Sequence, residues 1–172
     1  MDEITIREAG EGDREWAARL MAGSEPWVTL RRGYDACLAS CRDLQDDLHI
    51  AETRGERCGF VLVRPRGIAG APYIVSIAVA ETFRSQGIGR VLISFVADRY
   101  APRARHLFLC VSSFNHRAKA MYEREGFVQV GELPDFCIDG ASEVLMCRDL
   151  MLARPFDLGR QVFGPGDEVR RS

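Results

Sequence analysis

The stretch that decides the fold is AVAETFRSQGIGRVLISF, residues 78–95. It begins at the end of an apolar, β-rich run over 73–80, which predicts a buried strand. After a short polar loop, apolar residues recur at helical spacing and predict a helix over 87–100. A strand, a glycine-containing turn and a helix therefore follow one another directly, which is typical of mixed α/β proteins.

The turn Gly87-Ile88-Gly89 predicts an anion site. Glycines let the backbone approach a ligand closely, and the free amides at a helix N-terminus point to one spot, where the helix dipole favours negative charge. Arg84 and Arg90 flank the turn and add cationic groups for charge-assisted contacts. The expected ligand is a phosphate or a pyrophosphate.

Two familiar nucleotide-binding turns do not fit. A Walker loop needs Lys and Ser or Thr after its last glycine, but Arg90-Val91 follows Gly89. A Rossmann turn needs a third glycine three residues after the second, and Leu92 stands there. A glycine turn that serves only packing stays open as an alternative on these residues alone.

A second motif, VSSFNHRAKAMYEREGF, occupies residues 111–127. Asn115 and Tyr122 are seven residues apart, so two helical turns place them on one face, with the small Ala118 between them. The helix over 115–125 ends at Gly126, which suits a left-handed cap. The alternatives are a plain N-cap for Asn115 and a half-buried core tyrosine for Tyr122.

Both motifs together resemble the GNAT superfamily of N-acetyltransferases. Residues 84–89, Arg-Ser-Gln-Gly-Ile-Gly, fit Arg/Gln-x-x-Gly-x-Gly/Ala after a hydrophobic strand, and residues 111–127 fit the family's strand-Asn-helix-Gly-Phe pattern. The resemblance extends over residues 3–150 and implies the order β-α-α-β-β-β-α-β-α-β-β. It also implies a central mixed, mostly antiparallel sheet flanked by helices, the acyl-CoA N-acyltransferase fold.

The resemblance implies a direct acetyl transfer from acetyl-CoA to a primary amine. Tyr122 would be the catalytic general acid that protonates the CoA thiolate, and Asn115 would hold the pantetheine arm. The strand amides would contact the arm and the acetyl carbonyl, and the loop would hold the pyrophosphate. The residues expected to bind the coenzyme are Ile77, Ala78, Val79, Arg84, Ser85, Gln86, Gly87, Ile88, Gly89, Arg90 and Asn115.

The general base and the acceptor are left open. Family members that acetylate protein N-termini at alanine carry a glutamate where this chain has Cys110. Candidate bases are Glu25, Asp135 and Glu143, or a water chain. By resemblance, the acceptor pocket uses residues 24–27 with Tyr34, and residues 133–140. There Trp27, Phe136 and Asp135 would form an apolar wall with one acid, and plain packing of these residues stays open as the alternative. The acceptor is a small amine or a peptide N-terminus.

The remaining pattern predicts the other elements. These are a first strand around Ile4 and Ile6, helices over 12–23 and around 30–42, and strands over 48–53, 57–65, 104–111, 128–133 and 143–150. Residues 1–150 are expected to form the acetyltransferase domain, and 151–172 an irregular extension. Phe156, Leu158 and Phe163 would cover a groove on their own domain or pack on a second subunit of a homodimer.

Composition narrows the class of protein. The chain has 172 residues, 47% of them hydrophobic, and a net charge of −2. That size and mix indicate one globular domain, and the missing basic excess argues against a nucleic-acid partner. No apolar run approaches membrane-spanning length and the start does not resemble a signal peptide, so we expect a cytoplasmic protein without a membrane partner. The six cysteines lack zinc-ligand spacing, so we expect no metal and no disulfides, only small buried hydrophobes.

Two other functions compete with the acetyltransferase. One is a regulatory module that binds CoA without catalysis, against which the presence of Tyr122 argues. The other is a Rossmann-type nucleotide-binding protein, against which the missing third glycine and the Asn115 motif argue.

Overall fold

The computed structural model describes residues 3–152, and within them the element order is the predicted one. Short 3₁₀ turns at Ile68–Gly70 and Glu81–Phe83 flank the fourth strand. The strands are β1 Ile4–Glu8, β2 Asp47–Thr53, β3 Glu56–Arg64, β4 Tyr73–Val79, β5 His106–Ser112, β6 Val128–Pro134 and β7 Ser142–Asp149. The helices are α1 Asp13–Ala22, α2 Tyr34–Cys41, α3 Ile88–Tyr100 and α4 His116–Arg124.

One helix start differs clearly from the prediction. The helix expected around 30–42 begins only at Tyr34, because residues 25–31 form turns and Arg31 has a left-handed φ of 52°. A non-glycine residue in that region interrupts a right-handed helix.

The seven strands form one sheet in the order β1-β2-β3-β4-β5-β7-β6. Only the β4–β5 pair is parallel, and the other five neighbouring pairs are antiparallel. The predicted fold class, a mixed and mostly antiparallel sheet flanked by helices, is confirmed.

Two apolar cores cover the two faces of the sheet. Successive side chains of a strand point to opposite faces. In β3, Phe60 and Leu62 pack with α1 and α2, whereas Val61 and Val63 pack with α3 and α4. We call these the α1/α2 face and the α3/α4 face.

The sheet opens in its middle. β4 and β5 pair only at Tyr73↔Phe108 and Ile74↔Leu109, after which the two strands run on without pairing. Val75 is the extra residue of a bulge, since Leu62 pairs with Ser76 and Val63 with Ile74. A bulge bends its strand. The result is a cleft between the far halves of β4 and β5.

The cysteine prediction holds in part. All six cysteines are free, and Cys37, Cys41, Cys58 and Cys147 are buried as expected. The prediction is wrong for Cys137, which is exposed because it lies in the loop between β6 and β7. Cys110, in β5 at the cleft, is half-buried.

Within residues 3–152, no helix is long and apolar enough to cross a membrane. In the same range, no three His, Cys, Asp or Glu side chains are grouped as metal ligands. The predicted extension lies almost wholly outside the described residues, as do Phe156, Leu158 and Phe163.

Candidate active site

The glycine turn leads directly into α3. Gly87 precedes the helix with a φ of 83°, and Ser85 also has a positive φ, 64°. A β-carbon at Gly87 would meet no atom within 4 Å, so that side of the turn is open. No side chain caps the start of α3. The first amides of the helix therefore have neither a helical partner nor a side-chain acceptor, which leaves them available to an anion.

Gly89 has a different role. A β-carbon there would lie 3.2 Å from the Met121 sulfur of α4. Glycine at this position lets α3 and α4 pack closely, whereas glycine at position 87 allows the left-handed turn. Ile88, between them, is buried and anchors the turn to the core.

Three arginines lie near the turn, and each donates to a different acceptor. Arg84 stays at the loop, where its Nε donates to the Val79 carbonyl at 3.3 Å. Arg90 instead donates from Nε to Glu125 at 2.7 Å. Sequence reasoning missed Arg117, whose Nη2 donates to the Ser85 hydroxyl at 3.0 Å. Its place in the first turn of α4 was predictable, but its reach to the loop depends on how α4 docks on α3.

Glu125 links three elements behind the turn. Its carboxylate, 11% exposed, accepts from Arg90 of α3 and lies near Arg148 of β7. Arg148 is buried, its Nη1 has no partner among residues 3–152, and burial lowers its pKa while the charge of Glu125 acts to raise it. Glu125 therefore holds the ends of α3, α4 and β7 together electrostatically.

Asn115 is the N-cap of α4, as its alternative interpretation predicted. Its Oδ1 accepts from the Ala118 amide at 3.2 Å, and the residue is half-buried. An asparagine side chain has two further donors on its amide nitrogen. The cap and a contact with a ligand are therefore compatible.

Tyr122 belongs to the core on the α3/α4 face of the sheet. It is 7% exposed and packs edge-on against Phe127, with ring centroids 5.9 Å apart. Its hydroxyl has no hydrogen bond to the residues that the structure describes, and burial raises its pKa well above the ordinary value. The phenol is therefore protonated and has a free donor.

The unpaired edge of β4 forms one wall of the cleft between β4 and β5. Ile77, Ala78 and Val79 are half-buried and lie beyond the last β4–β5 pair. Their backbone on the cleft side has no neighbouring strand within the described residues. Such an edge offers amides and carbonyls to an extended ligand.

The predicted acceptor wall does not form. Trp27 is 6% exposed, because its large apolar side chain packs into the α1/α2 core and not into the cleft wall. Phe136 is 67% exposed and Asp135 is also exposed. Arg32, which lies between residues 24–27 and Tyr34, acts through its charge to lower the pKa of the Cys137 thiol.

The three candidate bases differ in their surroundings. Exposed Glu25 accepts from the Thr29 amide at 3.2 Å, and exposed Asp135 accepts from the Gly140 amide at 2.6 Å, so both carboxylates cap turns. Glu143 is 9% exposed and accepts from the Ser112 hydroxyl at 2.5 Å, beside the cleft. Of the three, only Glu143 is a buried carboxylate.

Comparisons with known proteins agree with this geometry. The sequence pattern described as Acetyltransferase (GNAT) family matches residues 14–127. The chain is 35% identical over 85 residues to a 5-NmdU N-acetyltransferase of Pseudomonas phage PaMx11, an alignment that covers 49% of this chain and 59% of the phage protein. It is 30% identical over 114 residues to an N-alpha-acetyltransferase of Sulfolobus acidocaldarius, covering 59% of this chain and 68% of that protein.

The fold has solved counterparts. A GNAT family acetyltransferase from Elizabethkingia anophelis, crystallised with acetyl-CoA bound, superposes with a TM-score of 0.68 at 22% identity, covering 87% of this chain and 99% of the other. At that identity the likeness concerns the fold.

Proposed function

This chain belongs to the GNAT family of acetyltransferases, and from that premise we propose that it is an acetyl-CoA-dependent N-acetyltransferase. In this proposal the acetyl group moves to a primary amine by direct attack. The observation that carries the proposal is the cleft between β4 and β5, with the uncapped start of α3 after the end of β4.

The coenzyme would lie along the open edge of β4. The amides of Ile77–Val79 would bind the pantetheine arm and polarise the acetyl carbonyl, an oxyanion-hole type role. Residues 84–90 would bind the pyrophosphate through the turn amides, with Arg84 adding charge and Arg90 steadied by Glu125. Asn115 would donate its free amide N–H to the arm. We add Arg117 as a further phosphate ligand, because it already reaches Ser85.

Tyr122 would donate its proton to the departing CoA sulfur. A model tyrosine has a pKa of about 10 and a thiol about 8.5, so the transfer is mildly uphill in water. Burial disfavours the charged form of both groups, so it raises the pKa of the acid and that of the thiol formed beside it. A positioned acid contributes typically about 10²–10⁴-fold to the rate.

The acceptor is a small-molecule amine or a peptide N-terminus. The names of the relatives include both an N-alpha-acetyltransferase and a 5-NmdU N-acetyltransferase, so they do not favour one class. We also propose a cytoplasmic location, since reduced thiols at all six cysteines suit a reducing compartment.

The test is thiol release from acetyl-CoA with three acceptor groups: small amines, peptides with free N-termini, and N-blocked peptides with an internal lysine. We expect release with one group and thermal stabilisation of the protein by acetyl-CoA. Stabilisation without release from any group would favour the non-catalytic CoA-binding module. A protein that is neither stabilised nor active would contradict the proposal.

A further inference from the structure

Glu143 occupies a defined position at the open part of the sheet. It stands at the start of β7, directly opposite Ser112, the last residue of β5. Their neighbours Val111 and Val144 pack into the core on the α3/α4 face. Because side chains alternate along a strand, Ser112 and Glu143 point to the α1/α2 face. Tyr122 belongs to the α3/α4 face, so acid and carboxylate lie on opposite faces of the sheet.

The carboxylate of Glu143 is buried without a cation. It is 9% exposed, and its described hydrogen-bond donor is the Ser112 hydroxyl at 2.5 Å. Across residues 3–152, no Arg, Lys or His nitrogen forms an ion pair with it. Buried carboxylates are ordinarily paired, because burial of a lone charge is costly. The other buried acids among residues 3–152, Asp13, Asp46 and Glu125, do have arginine partners.

Two thiols and a phenol lie near Glu143, and its negative charge acts to raise the pKa of each. For the Cys110 thiol, burial is the largest cause of a raised pKa. A hydrogen bond with Tyr73 lowers that pKa, and the charge of Glu143 acts in the same direction as burial. Cys137, from the loop between β6 and β7, has a pKa raised by burial and by Glu143, with Arg32 acting in the opposite direction. Burial likewise raises the pKa of Tyr73, with Cys110 and Glu143 adding to it.

These groups surround one carboxylate with hydroxyls and thiols. Arg32 is the cation that acts on this cluster, but it is exposed and its guanidinium donates to the Ser40 hydroxyl at 2.8 Å. No cation among residues 3–152 therefore pairs with Glu143, and a cationic ligand that enters the cleft from the α1/α2 face can do so.

We propose that Glu143 is the acceptor-binding carboxylate, which pairs with the ammonium form of a primary amine and takes its proton. This inference rests on the proposed acetyltransferase function. One proton passes from the ammonium nitrogen to the Glu143 carboxylate, and the freed electron pair forms the new C–N bond while the carbonyl π electrons move onto oxygen. When the carbonyl re-forms, the C–S bond of the thioester breaks and the sulfur receives the Tyr122 proton. The nitrogen releases its second proton to water, the Tyr122 phenolate takes one back from water, and Glu143 releases its proton to solvent. Ser112 is a positioning residue that orients the carboxylate.

The test compares Glu143→Gln with Glu132→Gln, the same change at an exposed position of the neighbouring strand β6. Thiol release would be measured from pH 6.5 to 10 with the most active amine of the panel. We expect Glu143→Gln to lower kcat/KM by about 10²–10⁴-fold at pH 7. We expect Glu132→Gln to leave it within about twofold, since exposed surface changes have small effects.

The pH profile separates proton transfer from a merely structural role. An alkyl amine has a pKa near 10.4 and a peptide N-terminus one of about 7.7–8.0. Without a base the variant depends on the neutral fraction, so below the pKa of its acceptor the rate should rise about tenfold per pH unit. The wild type should rise less steeply, and the two profiles should converge at alkaline pH. Equal profiles, or a loss that stays constant with pH, would overturn the inference. Unchanged stabilisation by acetyl-CoA would show that the variant folds and still binds coenzyme.

A binding experiment keeps the inference testable without turnover. CoA-loaded protein would be titrated calorimetrically at pH 7 with the same amines. We expect binding by wild type and Glu132→Gln and at least tenfold weaker binding by Glu143→Gln. Failure of the wild type to bind any amine would overturn the Glu143 assignment. Failure of acetyl-CoA to stabilise the wild type would instead contradict the proposed function.

Discussion

At the residue scale, the Tyr122 hydroxyl combines two properties that a core tyrosine seldom has together. The ring is buried against Phe127, yet the hydroxyl has no hydrogen bond within residues 3–152. A buried Tyr normally finds a partner for its hydroxyl. A sulfur leaving group in the cleft would provide that partner.

Replacing Tyr122 with Phe should therefore separate catalysis from folding. The ring contact with Phe127 is retained and no described hydrogen bond is lost, so stability and stabilisation by acetyl-CoA should stay close to wild type. We expect kcat to fall about 10²–10⁴-fold in the thiol-release assay. Tyr100→Phe is the matched control, because that buried hydroxyl donates to Asp47 at 3.2 Å, in a contact between α3 and β2. A wild-type rate for Tyr122→Phe would remove the tyrosine from the mechanism.

Individual residues also show where sequence reasoning ends. Spacing alone placed Asn115 at a helix start and Tyr122 two turns on, and the structure confirms both positions. It could not choose among Glu25, Asp135 and Glu143, because burial of a carboxylate depends on contacts between distant strands. Ser112 and Glu143 are 31 positions apart and meet only through the β5–β7 register.

At the scale of elements, the two glycines of the turn before α3 meet two different structural requirements. Gly87 supplies a left-handed residue before α3, and Gly89 supplies space for Met121 of α4. The sequence predicts the first requirement from the strand-turn-helix pattern. The second depends on the docking of α3 on α4, as does the contact of Arg117 with Ser85.

The two glycines should respond differently to alanine. Gly87→Ala introduces a β-carbon at a φ of 83°, which should lower the free energy of unfolding by about 1–2 kcal/mol. Its methyl group also enters the open side of the turn and should weaken CoA binding. Gly89→Ala places a β-carbon 3.2 Å from a flexible Met121 sulfur, and the gain in helix propensity offsets part of the cost. Urea denaturation and calorimetric CoA titration of both variants would check this ranking, which a more destabilising Gly89→Ala would contradict.

The element order was predictable, whereas the acceptor side was not. Alternating and helical periodicities mark every strand and helix between Ile4 and Asp149. The wall of Trp27, Phe136 and Asp135 failed because periodicity does not say which aromatic residue joins a core. Trp27 packs into the α1/α2 core, and Phe136 stays on an exposed loop.

At the scale of the whole molecule, ion pairs join the layer formed by helices α1 and α2 to the sheet, which is open between β4 and β5. Asp13, at the start of α1, is 2% exposed and links this layer to two strands. Its carboxylate pairs with Arg7 of β1 at 2.5 Å and with Arg57 of β3 at 3.1 Å, and it accepts from the Gly10 amide at 2.7 Å. The face of the cleft at which we propose that the acceptor binds is on the same side of the sheet as this layer.

The ionised form of Asp13 should therefore contribute to stability in a pH-dependent way. Burial acts to raise its pKa, but hydrogen bonds from Arg7 and the Gly10 amide outweigh burial, so the pKa lies below the ordinary 3.8. A carboxyl whose pKa is lowered on folding stabilises the protein above the unfolded-state pKa. That stability is lost as the pH falls through the folded-state pKa.

Asp13→Asn should then be most damaging at neutral pH. We expect a loss of about 2 kcal/mol at pH 7, below the about 3–5 kcal/mol of fully buried pairs, because the arginines are 41% and 39% exposed. As the pH falls below 3.8, the unfolded-state carboxyl binds a proton before the folded-state carboxyl does, so the difference between the two proteins should shrink. Urea denaturation at pH 7 and pH 3 measures both differences, with Glu8→Gln, at a 77% exposed position, as a control that should stay near wild type. An equal deficit at both pH values would mean that packing at Asp13, and not its charge, fixes the α1/α2 layer to the sheet.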